Sequence, residues 1–316
     1  MTTGPLKHFD ADAIRRTLTY DGAIDAVRPA MIALSDGRAR QLLRSFIGLD
    51  QKTFALMPAA LSVGGYFGAK LVSVFYDEKG QRLHKGVVVL FDGKSSEPVC
   101  TADAEEITHI RTGAASAVAT DALARIDAHR LAVLGAGKQA ESHIKAISKV
   151  RKLSQVVIWS RNLEKAKTFA AGTARETGLD VQARKTARDA VADADIVCTV
   201  TSASAPILEF AWLRPGTHVN VVGSSGPGPA EIDEELVVKS RFIADHREHV
   251  LAHGAEFLRA KTAGAVTDAH VVAEIGEVLS GAKPGRTSRD QITVYKSLGH
   301  AVQDLAATAW VYEHAR

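Results

Sequence analysis

The chain has 316 residues, of which 46% are hydrophobic and 24% charged. A chain of that length buries about three quarters of its unfolded surface and divides naturally into two domains, which excludes global disorder. Lys and Arg number 39 against 36 Asp and Glu, so the excess of +3 is small, and it forms no basic tail or block. Nucleic acid is excluded as the main partner on that ground.

Cys100 and Cys198 are the only cysteines, and each lies in or beside an apolar run. They read as buried free thiols of a reducing compartment, not as a disulfide framework. The N-terminal MTTGPLKHFD lacks the apolar core of a signal peptide. No apolar stretch reaches the ~18 residues of a membrane span. The expectation is a cytoplasmic protein without a membrane partner.

In chain order, Asp10 or Asp12 caps a first helix with apolar positions at Ile14, Leu18, Ile24 and Val27, and Pro29 interrupts it or begins a new turn. Short strand-like runs follow: LLRSFIGL, FALMPA, GGYFGAKLVSVFYD and GVVVLFD. They are separated at Asp50-Gln51, Gly64-Gly65, Glu78-Lys79-Gly80 and the hairpin signal Asp92-Gly93. This region reads as an antiparallel or mixed sheet. From Asp103 the alanine-rich DAEEITHIRTGAASAVATDALAR reads as more than one helix. Strands and helices then alternate through RLAVLGAGKQAESHIKAISKV, QVVIWS, NLEKAKTFAAGTARETG, DVQARK, DIVCTVTS, HVNVVGS and RFIADH. Such alternation predicts a parallel sheet covered on both faces, a Rossmann-type doubly wound α/β domain beside an α+β domain. The last stretch, ITVYKSLGHAVQDLAATAWVYEHA from Gln291, has helical spacing and reads as packing back on the first region.

The sharpest motif is Gly135-Ala136-Gly137-Lys138-Gln139-Ala140, between the strand Leu131-Ala132-Val133-Leu134 and a helix running towards Val150. This is G-x-G-x-x-A in the strand–turn–helix setting that dinucleotide binding requires. Gly135 permits the tight turn, Gly137 leaves room for a pyrophosphate, and Ala140 allows close helix–strand packing. The helix N-terminus then offers unpaired N–H groups. The next strand ends at Trp159-Ser160-Arg161-Asn162, without the acid that would bind both ribose hydroxyls of NAD. Arg161, helped by Ser160, suits the 2′-phosphate of NADP. The alternative is a solvated arginine, with Ser160 bonding a ribose hydroxyl of NADH. Thr199, Thr201 and Ser202 end the strand DIVCTVTS and reach the ribose or nicotinamide side, or else are a plain polar strand end.

Three cations sit in apolar settings: Arg44 in LLRSFIGL, Lys70 in GGYFGAKLVSVFY, and Arg111 after EEITHI. A buried cation must be paired, either with an internal acid or with an anionic ligand. A small carboxylate substrate beside a nicotinamide is the ligand of choice. His246, His249 and His253 stand at i, i+3 and i+7, but neighbouring acids and Arg247 read as a polar surface. No HExxH and no G-x-S-x-G is present, so no metal is expected and hydrolysis has no support.

Taken together, GAKLVS from Gly68, GVVVLFDGKSSEPV, ITHIRTGAAS, LGAGKQAESH, PILEFAWLRPGTHVNVVGS, IGEVLSGAKPGR and ITVYKSLGHAVQDLAAT resemble the ornithine cyclodeaminase/mu-crystallin family over nearly the whole chain. The resemblance implies a homodimer whose first-domain sheets join across a two-fold axis. It implies a substrate-binding and dimerisation domain of residues 1–115 plus 291–316, and a dinucleotide domain of residues 116–290. It assigns Arg44, Lys70 and Arg111 to the substrate carboxylate and puts Lys70 near the reacting carbon and nitrogen. Cyclodeaminases and alanine dehydrogenases of the family carry an Asp in G-x-D-x-P-G. Here the stretch is Gly223-Ser224-Ser225-Gly226-Pro227-Gly228, and Ser225 takes its place. The imine-reducing branch also lacks that Asp. The reading is therefore an NAD(P)H-dependent reductase of an α-imino acid, either a cyclic ketimine such as pyrroline- or piperideine-2-carboxylate or an acyclic one such as iminosuccinate. Ser225, His84 and Lys85 are the candidate donors to a second carboxylate. An amino-acid dehydrogenase, an ornithine cyclodeaminase and a non-catalytic NADP-binding protein are the alternatives.

Overall fold

The computed structural model describes residues 6–50, 52–61, 65–76, 82–226 and 228–315. The turn at 78–80, Gly64 and Pro227 lie outside the described residues, as does the side chain of His84. Strand β1 (Lys7–Phe9) leads into helices α1 (Ala11–Thr17) and α2 (Tyr20–Ser35). Strands β2 (Arg40–Gln41), β3 (Ser45–Leu49), β4 (Lys52–Ala60), β5 (Tyr66–Tyr76), β6 (Arg82–Asp92) and β7 (Pro98–Asp103) follow, then helix α3 (Ala104–Leu123). The alternating part comprises β8 (Arg130–Leu134), α4 (Lys138–Val150), β9 (Gln155–Trp159), α5 (Leu163–Thr177), β10 (Val181–Ala183), α6 (Ala187–Val191), β11 (Ile196–Thr199) and β12 (His218–Val221). It continues through α7 (Glu234–Lys239), β13 (Arg241–Ala244), α8 (Arg247–His253), α9 (Ala255–Thr262), β14 (Val271–Glu274), α10 (Ile275–Leu279) and β15 (Thr293–Lys296), and the chain closes with α11 (Ala301–His314).

Two compact units result, Met1–Arg111 with His300–Arg316, and Thr112–Gly299. The first is built on a seven-stranded sheet in the order β1-β7-β6-β5-β4-β2, with β3 on β4. All its pairings are antiparallel except β1 on β7. Asp92 makes the β6–β7 turn by accepting from the N–H groups of Lys94 and Ser95. Because side chains alternate along a strand, one face carries Lys70, Val72, Val88 and Leu90, all buried, and α11 packs against it. The other face carries Leu56, Leu71 and Val87 in one cross-strand row, with Phe67 stacked on Phe91 at 5.2 Å. Those residues are only partly buried.

In the second unit eight parallel strands run in the order β10-β9-β8-β11-β12-β15-β13-β14. Leu134, Val197, Val219, Phe242 and Val294 are completely buried in its core. Each such side chain contributes about 1.5–3 kcal/mol. The order reverses direction between β8 and β11. In open α/β sheets a ligand binds outside the carboxyl ends of the strands at that reversal.

Some elements differ from the sequence expectation. The segment after Asp103 is one 20-residue helix, not several. Its interior Gly113 is a packing residue, since a Cβ there would collide with Ser142 of α4. Pro29 lies inside α2, where burial of Ile24, Val27, Met31 and Leu34 outweighs the one lost backbone bond. Arg44 precedes β3 and is not within a strand. Thr293–Lys296 is a central strand of the parallel sheet, so residues 291–299 belong with the second unit and only α11 returns to the first. Only residues 297–300 separate this four-residue strand from the helix, and Gly299 is the one turn residue among them. Among the described residues no helix is long and apolar enough to cross a membrane.

Candidate active site

In the first unit Lys70 and Arg111 are brought to the same acid, Asp304 of α11. The Lys70 Nζ lies 3.3 Å from Asp304 Oδ1, and Arg111 Nε donates to the same oxygen at 2.9 Å. Lys70 also donates to Thr108 Oγ1 at 2.5 Å, and Arg111 Nη1 donates to Gln303 Oε1 at 2.9 Å. Lys70, Arg111, Gln303 and Asp304 are all buried, and Asp304 is 0% exposed. Register explains Lys70: it alternates with Val72 on the helix-covered face of β5, where an apolar residue would otherwise stand. Burial pushes its ammonium down to about 8 from 10.5; Asp304 opposes this, while the positive charges of Arg111 and Arg44 add to it. Arg44, half-buried, therefore acts on the same cluster.

Two buried cations thus share one carboxylate, and its second oxygen, Oδ2, is buried without a hydrogen-bond partner among the described residues. A buried cation that lacks its own counter-charge is costly. An anion has the charge that balances such a cluster, and the planar guanidinium of Arg111 has the fork geometry that suits a carboxylate. Asp304 was not foreseen from the sequence. Its signal was an acid inside the otherwise apolar run AVQDLAATAW.

In the second unit the glycine turn joins β8 to α4. Gly135 has φ of 138°, in the region that disfavours side chains, and a Cβ there would lie 2.8 Å from Val200 Cγ2. Gly137 caps α4 without a side-chain bond, and a Cβ on it would meet nothing within 4 Å. The two glycines therefore differ: Gly135 is required by the packing of the turn, and Gly137 leaves open space before the helix N-terminus. Lys138 is exposed, Gln139 half-buried and Ala140 buried against the sheet. Gln139 Oε1 is buried without a partner among the described residues. Open space at the N-terminus of a 13-residue helix, with an unpaired polar atom beside it, fits a dinucleotide's phosphates and ribose.

Ser160 is half-buried and accepts from Asn162 N–H at 3.3 Å. Arg161 is exposed, with no ion-pair partner among the described residues. Ser202 is exposed at the rim. The hydroxyls of Thr199 and Thr201 both donate to the buried Glu231, at 2.8 and 2.7 Å. Ser225 is half-buried, and the residue before it is gripped by Lys296, which donates to Ser224 O at 2.7 Å. Glu231 and Lys296 were also missed, because a buried charge on a strand or loop is legible only when its partner is known. Lys85, a candidate for a second carboxylate, is exposed and paired with Glu105 at 3.0 Å. Of the histidines at 246, 249 and 253, the first caps α8 and the last ends it. Among the described residues no cluster of His, Cys, Asp or Glu is arranged to hold a metal ion.

Known proteins are similar to this chain over most of its length. The mouse protein "ketimine reductase mu-crystallin" is 34% identical over 282 residues, 88% of this chain and 86% of its own. The structure of Thermococcus litoralis Delta(1)-pyrroline-2-carboxylate reductase in complex with NADH and L-proline superposes with a TM-score of 0.93 at 30% identity, covering 98% of this chain and 97% of that one. An archaeal alanine dehydrogenase dimer with bound NAD superposes with a TM-score of 0.91 at 29% identity, covering 98% and 96%. The profile of the ornithine cyclodeaminase/mu-crystallin family matches residues 9–316, and the chain belongs to that family.

Proposed function

We propose that this protein is an NAD(P)H-dependent imine reductase that converts an α-imino acid to the L-amino acid. The observation that carries the reading is the buried cluster in which Lys70 and Arg111 share Asp304, one positive charge in excess of its acids among the described residues. A substrate carboxylate supplies the missing charge. Arg111 and Arg44 hold it, Arg111 in a direction fixed by Gln303 and Asp304. Gly135, Gly137 and the N-terminus of α4 hold the dinucleotide, which supplies a hydride when bound. Lys70 supplies the proton: hydride adds to the imine carbon, the C=N π pair moves to nitrogen, and nitrogen takes a proton from Nζ directly or through water. An ammonium held near 8 is largely protonated at neutral pH and releases its proton more readily than an ordinary lysine.

Ser225 separates this reading from oxidation or cyclisation of a free amino acid, since no carboxylate stands there to hold an ammonium group. The exposed Arg161 favours NADPH, and NADH is bound in the Thermococcus relative. The partly exposed sheet face of the first unit, together with Leu42, Phe46, Ile47 and Leu49, each more than half exposed, suits a second copy of the chain. The alanine dehydrogenase relative is a dimer. Two buried free thiols accord with a reducing compartment, the cytoplasm. The test is a panel of imines (pyrroline- and piperideine-2-carboxylate, pyruvate with ammonia or methylamine, oxaloacetate with ammonia) against NADH and NADPH, with light scattering for the dimer. Reduction of at least one imine faster than oxidation of alanine or release of proline from ornithine is expected. The reverse order overturns the reading.

A further inference from the structure

Glu231 precedes α7 and is 0% exposed, and among the described residues its carboxylate accepts from four donors. Oε2 accepts from Thr199 Oγ1 at 2.8 Å and from the Gly223 N–H at 2.7 Å. Oε1 accepts from the Thr201 N–H at 2.6 Å and from Thr201 Oγ1 at 2.7 Å. Each oxygen therefore faces a backbone N–H, which can only donate. A glutamine would set an NH₂ against one of them.

The bonded groups occupy the carboxyl ends of two adjacent strands. Thr199 and Thr201 flank Val200 at the end of β11, and Gly223 follows β12. Val200 is the residue on which the glycine turn rests: its N–H donates to Leu134 O at 2.9 Å, and it limits the space at Gly135. A Cβ at Gly223 would collide with Thr201 O and with Glu231, so the two strand ends are in close contact. A second buried set holds Glu231 from behind. Its own N–H donates to Glu256 Oε1 at 3.1 Å; Glu256 also accepts from Ser224 Oγ and lies 2.8 Å from Lys296 Nζ. Lys296 fixes both the carbonyl and the hydroxyl of Ser224.

We propose that Glu231 is the positioning residue of the cofactor crevice: its one carboxylate fixes the β11 edge that supports the glycine turn and, through Gly223, the loop carrying Ser225. The proposal rests on the reading that this unit binds a reduced dinucleotide. It assigns Thr199 and Thr201 to the support of the crevice and not to direct contact with the ligand. Glu231 distinguishes no part of the cofactor, so its loss must weaken NADH and NADPH alike.

The experiment measures Kd for both cofactors by fluorescence titration, the melting temperature, and the primary deuterium isotope effect on kcat with 4-deuterated cofactor. The proteins are the wild type, Glu231→Gln, Thr201→Val and Thr201→Ser. Expected are a tenfold or greater loss of affinity for both cofactors in Glu231→Gln, a smaller loss in Thr201→Val, recovery of most of that loss in Thr201→Ser, and a changed isotope effect in Glu231→Gln. If Glu231→Gln does not fold, Thr201→Val against Thr201→Ser decides. Variants that melt earlier but keep the wild-type affinities and isotope effect overturn the proposal and leave Glu231 a purely structural acid. A wild type that binds neither cofactor overturns the dinucleotide reading itself.

Discussion

In the first unit Lys70 and Arg111 converge on a single oxygen, Asp304 Oδ1; in the second, Lys296 stands beside Glu256 while Glu231 is held by four donors. Among the described residues the first cluster has two cations to one carboxylate, whereas the second has two carboxylates to one cation and its surplus acid, Glu231, is satisfied by neutral donors. Burial raises the Glu231 carboxyl, and donors from Thr201 and Thr199 with the charge of Lys296 act against it. Burial also works to raise Glu256, but the charge and hydrogen bond of Lys296, together with the Ser224 hydroxyl and a backbone N–H, outweigh it and leave that carboxyl below its usual value. Charges whose partners lie within the fold stabilise the fold, whereas charges left in excess mark where a ligand of opposite sign completes the set.

The largest effect expected from this contrast is at Lys70. Lys70→Met removes the proton donor and should lower imine reduction ~10²–10⁴-fold. Because it also removes the surplus charge, the melting temperature should hold or rise. The wild-type kcat/KM should fall as pH rises through about 8, since the acid form of Lys70 is lost there. A bound carboxylate favours the ammonium, so the matching limb in kcat should lie higher. Two substrates of different imine basicity should share the kcat/KM limb, and Lys70→Met should lack it. Activity retained in Lys70→Met would remove the residue from the chemistry.

Lys296→Met inverts the result. It leaves Glu256 buried without its cation, and breaking a buried pair from one side costs about 3–5 kcal/mol. Denaturant unfolding of the two methionine variants side by side tests the contrast. Equal stability losses in Lys70→Met and Lys296→Met would erase the distinction between the two clusters.

A smaller effect is expected at Arg161, a cation at the surface of the second unit. A charged hydrogen bond is worth about 1.5–3 kcal/mol, so Arg161→Ala should weaken NADPH ~10–100-fold and leave NADH nearly unchanged. Equal titrations with both cofactors would make Arg161 an ordinary solvated side chain.

The glycine turn was legible in the sequence because its chemistry is local: six consecutive residues between a strand and a helix carry it. Lys70 and Arg111 were legible as interruptions of apolar runs. Their partner was not, because Asp304 lies 234 and 193 residues further along the chain. Shorter separations, 32 and 30 residues from Thr199 and Thr201 to Glu231 and 72 from Ser224 to Lys296, hid those two charges as well. The strand Thr293–Lys296 merged with the helix that follows because both are apolar and no turn residue separates their patterns until Gly299. Segment 104–123 read as several helices because Thr, Gly and Ser weaken helix propensity, a preference that close packing of small residues overrides.

The smallest effect is expected at Ser225. Its backbone position is set from behind: Gly223 is bonded to Glu231 and Ser224 to Lys296, so exchanging the side chain at 225 leaves the loop in place. Whatever changes in Ser225→Ala is then due to the hydroxyl. If Lys70 donates the proton and the arginines hold the carboxylate, that hydroxyl orients water or substrate at most, and kcat/KM should drop only a few-fold. Ser225→Asp places a carboxylate at the Asp position of the G-x-D-x-P-G pattern that residues 223–228 resemble. An acid there attracts an ammonium and repels a carboxylate, so imine reduction should fall while amino-acid oxidation rises relative to it. The measurement is steady-state kinetics in both directions, each near its own pH optimum, with cofactor affinity titrated separately. A loss in Ser225→Ala as deep as that in Lys70→Met would transfer the proton from the lysine to the serine. The surplus charge around Asp304 would then be left with binding the carboxylate as its whole role.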